Sequence, residues 1–251
     1  MRNFLIFRGI DGTFLVAMLY VLIAGLITMS TFGSGDSYLL RQGSWIIISM
    51  SAFLFVSHFE YRFLKQTRVV INIYFFLLFV LALLFVLGHV TNSAQSWFYL
   101  GGFSFQPSDF MKLGLIIVLA KYFSLRHIEI ANIRHIIVSA VYALVPFVLV
   151  ILQPDLGTGL VLLAIWLGMV LVSGISKSHL FAVIAIGFII FSFAWNFMFK
   201  PYQKARIINF IHPLADIRGS GYNAYQSTIA VGSGGLYGKG IGYGTQSRLN
   251  F

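Results

Sequence analysis

Cysteine is absent from all 251 residues, which excludes disulfides and thiolate metal sites and leaves the redox compartment open. Charge is nearly as scarce. Only 10% of the chain is charged while 59% is hydrophobic, against about 25% charged in soluble domains, so a water-soluble globular domain is excluded. A cleavable leader is not expected either: Arg2 and Arg8 precede an apolar stretch at 14–31, but further such stretches follow and the first reads as a start-transfer anchor. The six histidines are scattered, and no two share a helix face at metal-ligand spacing; no metal ligand is assigned, the cofactor is left open, and a divalent cation has no ligand cluster to hold it.

Nucleotide loops are missing too. The run Gly232-Ser-Gly-Gly-Leu-Tyr-Gly-Lys-Gly-Ile-Gly-Tyr-Gly-Thr-Gln246 has Gly238-Lys239. A Walker A loop, however, needs glycine where Ser233 stands and Ser or Thr where Gly240 stands. What the run offers is backbone able to turn sharply and approach a ligand closely.

Apolar stretches are abundant. Seven of them, at 14–31, 45–59, 69–90, 107–123, 136–152, 156–172 and 180–199, approach the roughly 20 residues that cross a bilayer as helix. The expected fold is an all-α polytopic membrane protein, a single membrane domain over 1–251 with a seven-helix region at 1–199 and a long exterior loop, incomplete, at 200–251. Arg2, Arg8, Arg62, Lys65, Arg68, Lys121, Arg126, Arg134 and Lys177 fall on one side of this topology and only Arg41 in the opposite short loops. That asymmetry places the N-terminus in the cytoplasm. The exterior segment then carries Lys200, Lys204, Arg206, Arg218, Lys239 and Arg248 against Asp216 alone, a balance that fits an anionic ligand.

Two spans open on the outer face with related chemistry, Gln106-Pro-Ser-Asp109 and Gln153-Pro-Asp155. Proline suits a first helical turn, and each start directs backbone N–H groups and the positive end of a helix dipole outward. Asp109 and Asp155 therefore read either as helix caps or as part of a site. Lys112 lies one turn beyond Asp109 on the same face; it either snorkels and pairs with Asp109 or places a cation in an outward cavity. The uncharged segment 91–102 is expected to be a loop, in which Trp97 is an interfacial belt residue or a platform for a sugar ring.

Taken together, Asn92-Ser-Ala…Trp97, Gln106-Pro-Ser-Asp-Phe-Met-Lys112, Gln153-Pro-Asp-Leu-Gly-Thr158, Arg206-Ile-Ile-Asn-Phe, Gly221-Tyr…Tyr225-Gln226-Ser227 and the glycine run ending Thr-Gln246 resemble the SEDS family of peptidoglycan polymerases. The forms of the two Gln-Pro motifs are nearer its elongation branch, RodA, than its division branch, FtsW. The resemblance implies a ten-helix glycosyltransferase of the bacterial cytoplasmic (inner) membrane. It joins lipid II units on the outer face, inverts the anomeric centre and releases undecaprenyl diphosphate. A class B penicillin-binding protein is the implied partner alongside membrane lipid, and nucleic acid is not one. Substrate contacts are implied at Trp97, Gln106, Asp109, Lys112, Gln153, Asp155, Arg206, Gln226, Lys239 and Gln246. Three positions depart from the family pattern: Ser96 stands where arginine is usual, Asp109 where glutamate is usual, and Ile217 where proline follows the aspartate. The family's catalytic aspartate and last three helices are expected beyond Phe251, which leaves Asp155 as fallback and this chain inactive by itself. A flippase or transporter of polyprenyl-linked sugar, and a non-catalytic scaffold for a transpeptidase, are the alternatives.

Overall fold

The computed structural model describes residues 11–30, 36–87, 89–91, 94–100, 103–125, 133–212, 216–219, 221–240 and 243–244. These fall into two compact units, one of Glu60–Phe191 and one of Met1–Phe59 with Ser192–Phe251.

The seven expected spans are all helical: α1 Gly12–Ser30, α2 Asp36–Ser57, α3 Thr67–Leu87, α4 Pro107–Ser124, α5 Ile133–Leu152, α6 Leu156–Val172 and α7 Lys177–Phe197. Five of them, α1, α2, α3, α5 and α7, are long and apolar enough to cross a membrane. The other two fall short for different reasons. α4 carries Asp109, Lys112 and Lys121, and α6 has only 17 residues. α4 is also an enclosed helix, packed against α3, α5 and α6 with Met111, Leu115 and Leu119 fully buried. Such a helix meets protein more than lipid and can tolerate charge near its ends. α1 and α7 bury no residue among those described. Their exposed faces of Phe, Ile, Leu and Val would be untenable in water, and the chain is a multi-pass membrane protein.

Inside the Glu60–Phe191 unit, α3 to α6 are stitched together by side-chain hydrogen bonds. Pro146 sits within α5 and has no N–H to give the carbonyl four residues earlier, that of Tyr142. The Tyr74 hydroxyl of α3 donates to that carbonyl at 2.7 Å and the two rings meet edge to face. Trp166 Nε1 of α6 donates to Ser139 Oγ of α5 at 3.0 Å, and the Ser139 hydroxyl in turn donates to the Ile136 carbonyl. Tyr122 of α4 bonds His135 Nδ1 of α5 at 2.9 Å. Small residues let the helices close up. A methyl group on Gly114 of α4 would lie 2.5 Å from Leu77 Cδ1 of α3, and one on Gly159 of α6 would lie 3.0 Å from Ile151 Cδ1 of α5. In lipid, where apolar surface gains little by leaving solvent, such close packing and interhelical hydrogen bonds carry much of the association.

Two expectations are corrected. The segment at 91–102 is not simply a loop: β1 (His89–Thr91), β2 (Ala94–Leu100) and β3 (Phe103–Phe105) form an antiparallel sheet of order β1-β2-β3. The register pairs His89 with Trp97 and Tyr99 with Ser104, and the aromatic run Trp97-Phe-Tyr99 is suited to a strand. The segment from 200 onward, expected as a loop, contains α8 (Pro201–Ile211) and α9 (Tyr222–Gly234). Pro201 occupies the first turn of α8, and the Gln203 side chain accepts from the Lys200 N–H at 2.9 Å. Those are local helix-start signals that the emphasis on exterior charge passed over.

Candidate functional site

The Gln-Pro segments meet. Gln106 is the N-cap of α4 with Pro107 in the first turn, and its Nε2 donates to Asp155 Oδ2 at 3.2 Å. Asp155 is the N-cap of α6, and its Oδ1 accepts from the Thr158 N–H at 3.1 Å. One carboxylate thus closes one helix start and holds the other beside it. Pro154 lies in the turn before the cap rather than in the first turn of α6, a one-residue correction that leaves Asp155 to do the capping. Gln153, immediately before it, is 1% exposed and donates from Nε2 to the Leu81 carbonyl of α3 at 2.8 Å. Two of these three residues, Gln153 and Asp155, therefore connect the α5–α6 turn to two other helices. Left unpaired, the amide of Gln153 would cost about 1–3 kcal/mol.

One turn along α4, Lys112 Nζ donates to Asp109 Oδ1 at 2.7 Å. The lysine side chain is 28% exposed and the aspartate 56%, so the pair sits at a surface with the ammonium the more enclosed. Asp109, expected as a cap or a site acid, has its backbone N–H on the Gln106 carbonyl and its carboxylate on Lys112. The capping work at this start falls to proline and not to Asp109. Ser108 adds a feature outside the expected site residues: its Oγ is buried and has no hydrogen-bond partner among the described residues. A hydroxyl next to a proline in a capping motif carries no signal of that kind in sequence, because whether it finds a partner depends on neighbouring helices.

Trp97, half-buried on β2, stands on the sheet that packs on α3 and α4. Arg206, Gln226 and Lys239 belong to the other unit. The Arg206 guanidinium lies 5.8 Å from the Tyr202 ring centroid and its neighbour Lys204 lies 5.7 Å from the Trp195 ring. Gln226 is half-buried on α9, and Lys239 is exposed in the segment that follows it. In that segment Gly235, Gly238 and Gly240 adopt φ of 59°, 70° and 92°, left-handed backbone in which a side chain is strained. Gln246 lies outside the described residues. Among the described residues no three His, Asp or Glu side chains come together in a metal-binding group.

The α4 and α6 starts bring together two helix N-termini, the Asp155 carboxylate and the Gln106 carboxamide, with the Asp109–Lys112 pair one turn along α4 and the Gln153 carboxamide buried. The arrangement is a polar scaffold with fixed geometry, able to orient hydroxyls and to place backbone N–H groups and a cation near an anion.

Comparison with known proteins bears on the whole chain. Stage V sporulation protein E of Bacillus subtilis (strain 168) is 33% identical over 251 residues, covering 96% of this chain and 67% of that protein. Peptidoglycan glycosyltransferase MrdB of Escherichia coli (strain K12) is 28% identical over 243 residues, covering 96% and 65%. The chain thus spans about two thirds of the length of these relatives. Among solved structures, a peptidoglycan synthase complex described as coordinating polymerization and crosslinking superposes with a TM-score of 0.68 at 32% identity, over 87% of this chain and 65% of its own. The rod shape determining protein RodA of Thermus thermophilus superposes with a TM-score of 0.61 at 29% identity, over 70% and 59%. The family model FTSW_RODA_SPOVE, described as "Cell cycle protein", matches residues 4–251, and with both Gln-Pro motifs inside that match the chain belongs to the FtsW, RodA and SpoVE family.

Proposed function

We propose that the intact protein is a peptidoglycan glycosyltransferase of the elongation type in the bacterial inner membrane, with its N-terminus cytoplasmic, and that this chain carries much of its substrate-binding part. In the reaction a hydroxyl of the acceptor sugar attacks the anomeric carbon of a lipid II donor. The bond from that carbon to the diphosphate oxygen breaks, undecaprenyl diphosphate leaves, and a general base takes the hydroxyl proton. The observation that carries this reading is the Gln106–Asp155 hydrogen bond, which joins the two motifs of the family resemblance into one rim. Lys112 is assigned to the diphosphate, its charge adding to two helix starts where negative charge grows. Trp97 is a platform for a sugar ring, and Gln106, Gln153, Asp109 and Asp155 hold the rim. Both oxygens of Asp155 already accept hydrogen bonds, which suits a structural acid better than a proton acceptor, and the base is not assigned to Asp155. Arg206, Gln226, Lys239 and Gln246 are assigned to the substrate from the exterior segment. A partner transpeptidase, a class B penicillin-binding protein, is supported by the structural neighbour that couples polymerization to crosslinking.

The deciding experiment is polymerisation of lipid II by the purified full-length protein, with glycan strands expected. Movement of lipid II across vesicles without strands would favour a flippase, and transpeptidase binding with neither activity would favour a scaffold. A full-length Arg206→Ala/Lys239→Ala variant is expected to bind lipid II about tenfold more weakly, and wild-type binding is expected to weaken markedly with salt, because both side chains are exposed. Unchanged affinity would remove both residues from the site.

A further inference from the structure

The opposite end of the α3–α6 group, where α3 begins, α4 ends and α5 begins, holds a cavity of about 510 Å3. Its polar wall comes from Thr67, Lys121, Tyr122, Arg134, His135 and Tyr142. Three features make it positive. Lys121 sits in the last turn of α4 and donates to the Lys65 carbonyl at 2.6 Å, which leaves two of its three ammonium protons for another acceptor. Arg134, exposed on the first turn of α5, adds a second cation. The starts of α3 and α5 both open here, and neither helix has an acid in its first turn, the position where Asp or Glu ordinarily offsets the dipole. The remaining wall is apolar. Val138 lines it, and Leu125, 59% exposed, stands at its edge.

We propose that this cavity binds the phosphate of a membrane lipid head group, with Lys121 and Arg134 as the charged contacts and the lipid chain lying along the apolar wall. Half-buried aromatics brace the floor: Tyr122 is bonded to His135, and the Tyr142 carbonyl accepts from Tyr74. Basic pockets between helices at the cytoplasmic face suit anionic head groups, and by the charge asymmetry of the loops this is the cytoplasmic end. The cavity lies at the far end of the helices from the Gln106–Asp155 rim, so the proposal does not rest on the polymerase reading and can fail or stand without it.

The test is lipid retention by the intact full-length protein, measured by native mass spectrometry from nanodiscs of mixed phosphatidylglycerol and phosphatidylcholine. Wild type is expected to retain phosphatidylglycerol selectively. Lys121→Gln/Arg134→Gln is expected to lose about twenty-five-fold of that preference, since each surface cation contributes about fivefold toward an anionic membrane. Val138→Trp, which fills the cavity and keeps every charge, is expected to lose it too, while Lys177→Gln outside the cavity keeps it. Displacement of the lipid by millimolar inorganic phosphate would assign recognition to the phosphate alone; resistance would assign it to phosphate and chain together. Equal retention of the two lipids by wild type would overturn the proposal, as would equal preference in wild type and Val138→Trp.

Discussion

The two ends of the α3–α6 group solve opposite problems with similar residues. At the end where α4 and α6 start, Gln106, Gln153, Asp155, Asp109 and Lys112 are each bonded to another protein group, so the polar side chains hold helices together. At the end where α3 and α5 start, Lys121, Arg134 and Thr67 surround a hollow, and the helix starts carry no acids. The knit end fixes geometry and the hollow end gathers cations around an open volume. Rigid placement suits a site that must orient a reacting group, and clustered positive charge suits retention of an anion.

The comparison can be broken most severely at Lys112. If its role is to meet a substrate anion, Lys112→Ala should lower lipid II polymerisation by the full-length protein by about a hundredfold, with membrane insertion unaffected because a span with one charge fewer inserts more readily. Wild-type turnover would reduce the residue to partner of Asp109. Next in size is Gln153→Leu, which keeps volume and removes the bond to the Leu81 carbonyl. A loss of about 1 kcal/mol in detergent unfolding is expected, because interhelical hydrogen bonds in membranes average about 0.6 kcal/mol with a maximum near 1.7. No loss would show that the knit end is held by packing alone.

Tyr74→Phe probes the hollow end in the same way, by leaving the Tyr142 carbonyl unpaired above Pro146. It should cost about 1 kcal/mol. Restoring the missing N–H with Pro146→Ala in the same chain should return part of that loss, so unfolding of the two single variants and the double variant gives the coupling directly; strict additivity would mean that the hydroxyl does not compensate for the proline. Ser108→Ala should have the smallest effect. Replacing a buried hydroxyl that has no partner among the described residues with a methyl group is expected to leave stability unchanged or raise it by a few tenths of a kcal/mol. A destabilised variant would mean that the hydroxyl has a bond in the folded protein.

What could be read without coordinates was what depends on neighbours along the chain. The seven apolar runs became seven helices because a backbone in lipid must bond to itself within each run, and Asp155 as a cap followed from its place ahead of Thr158. The sheet at 89–105 was less legible, since strand pairing depends on partners that an aromatic-rich stretch does not name. α8 was signalled by Lys200-Pro201 and Gln203, but the charge excess drew attention away from that local code. Lys121 and Arg134 were legible only as markers of orientation.

The sequence by itself determined that this is a helical membrane protein of a recognisable family, because hydrophobic length and local capping are set by adjacent residues. Only the tertiary structure decided that Gln106 would reach Asp155 across 49 positions, that Gln153 would reach Leu81 across 72, and that Lys121, Arg134 and His135 would share one cavity. Those outcomes depend on which helices lie side by side and how closely glycine lets them approach, and no single segment contains that information.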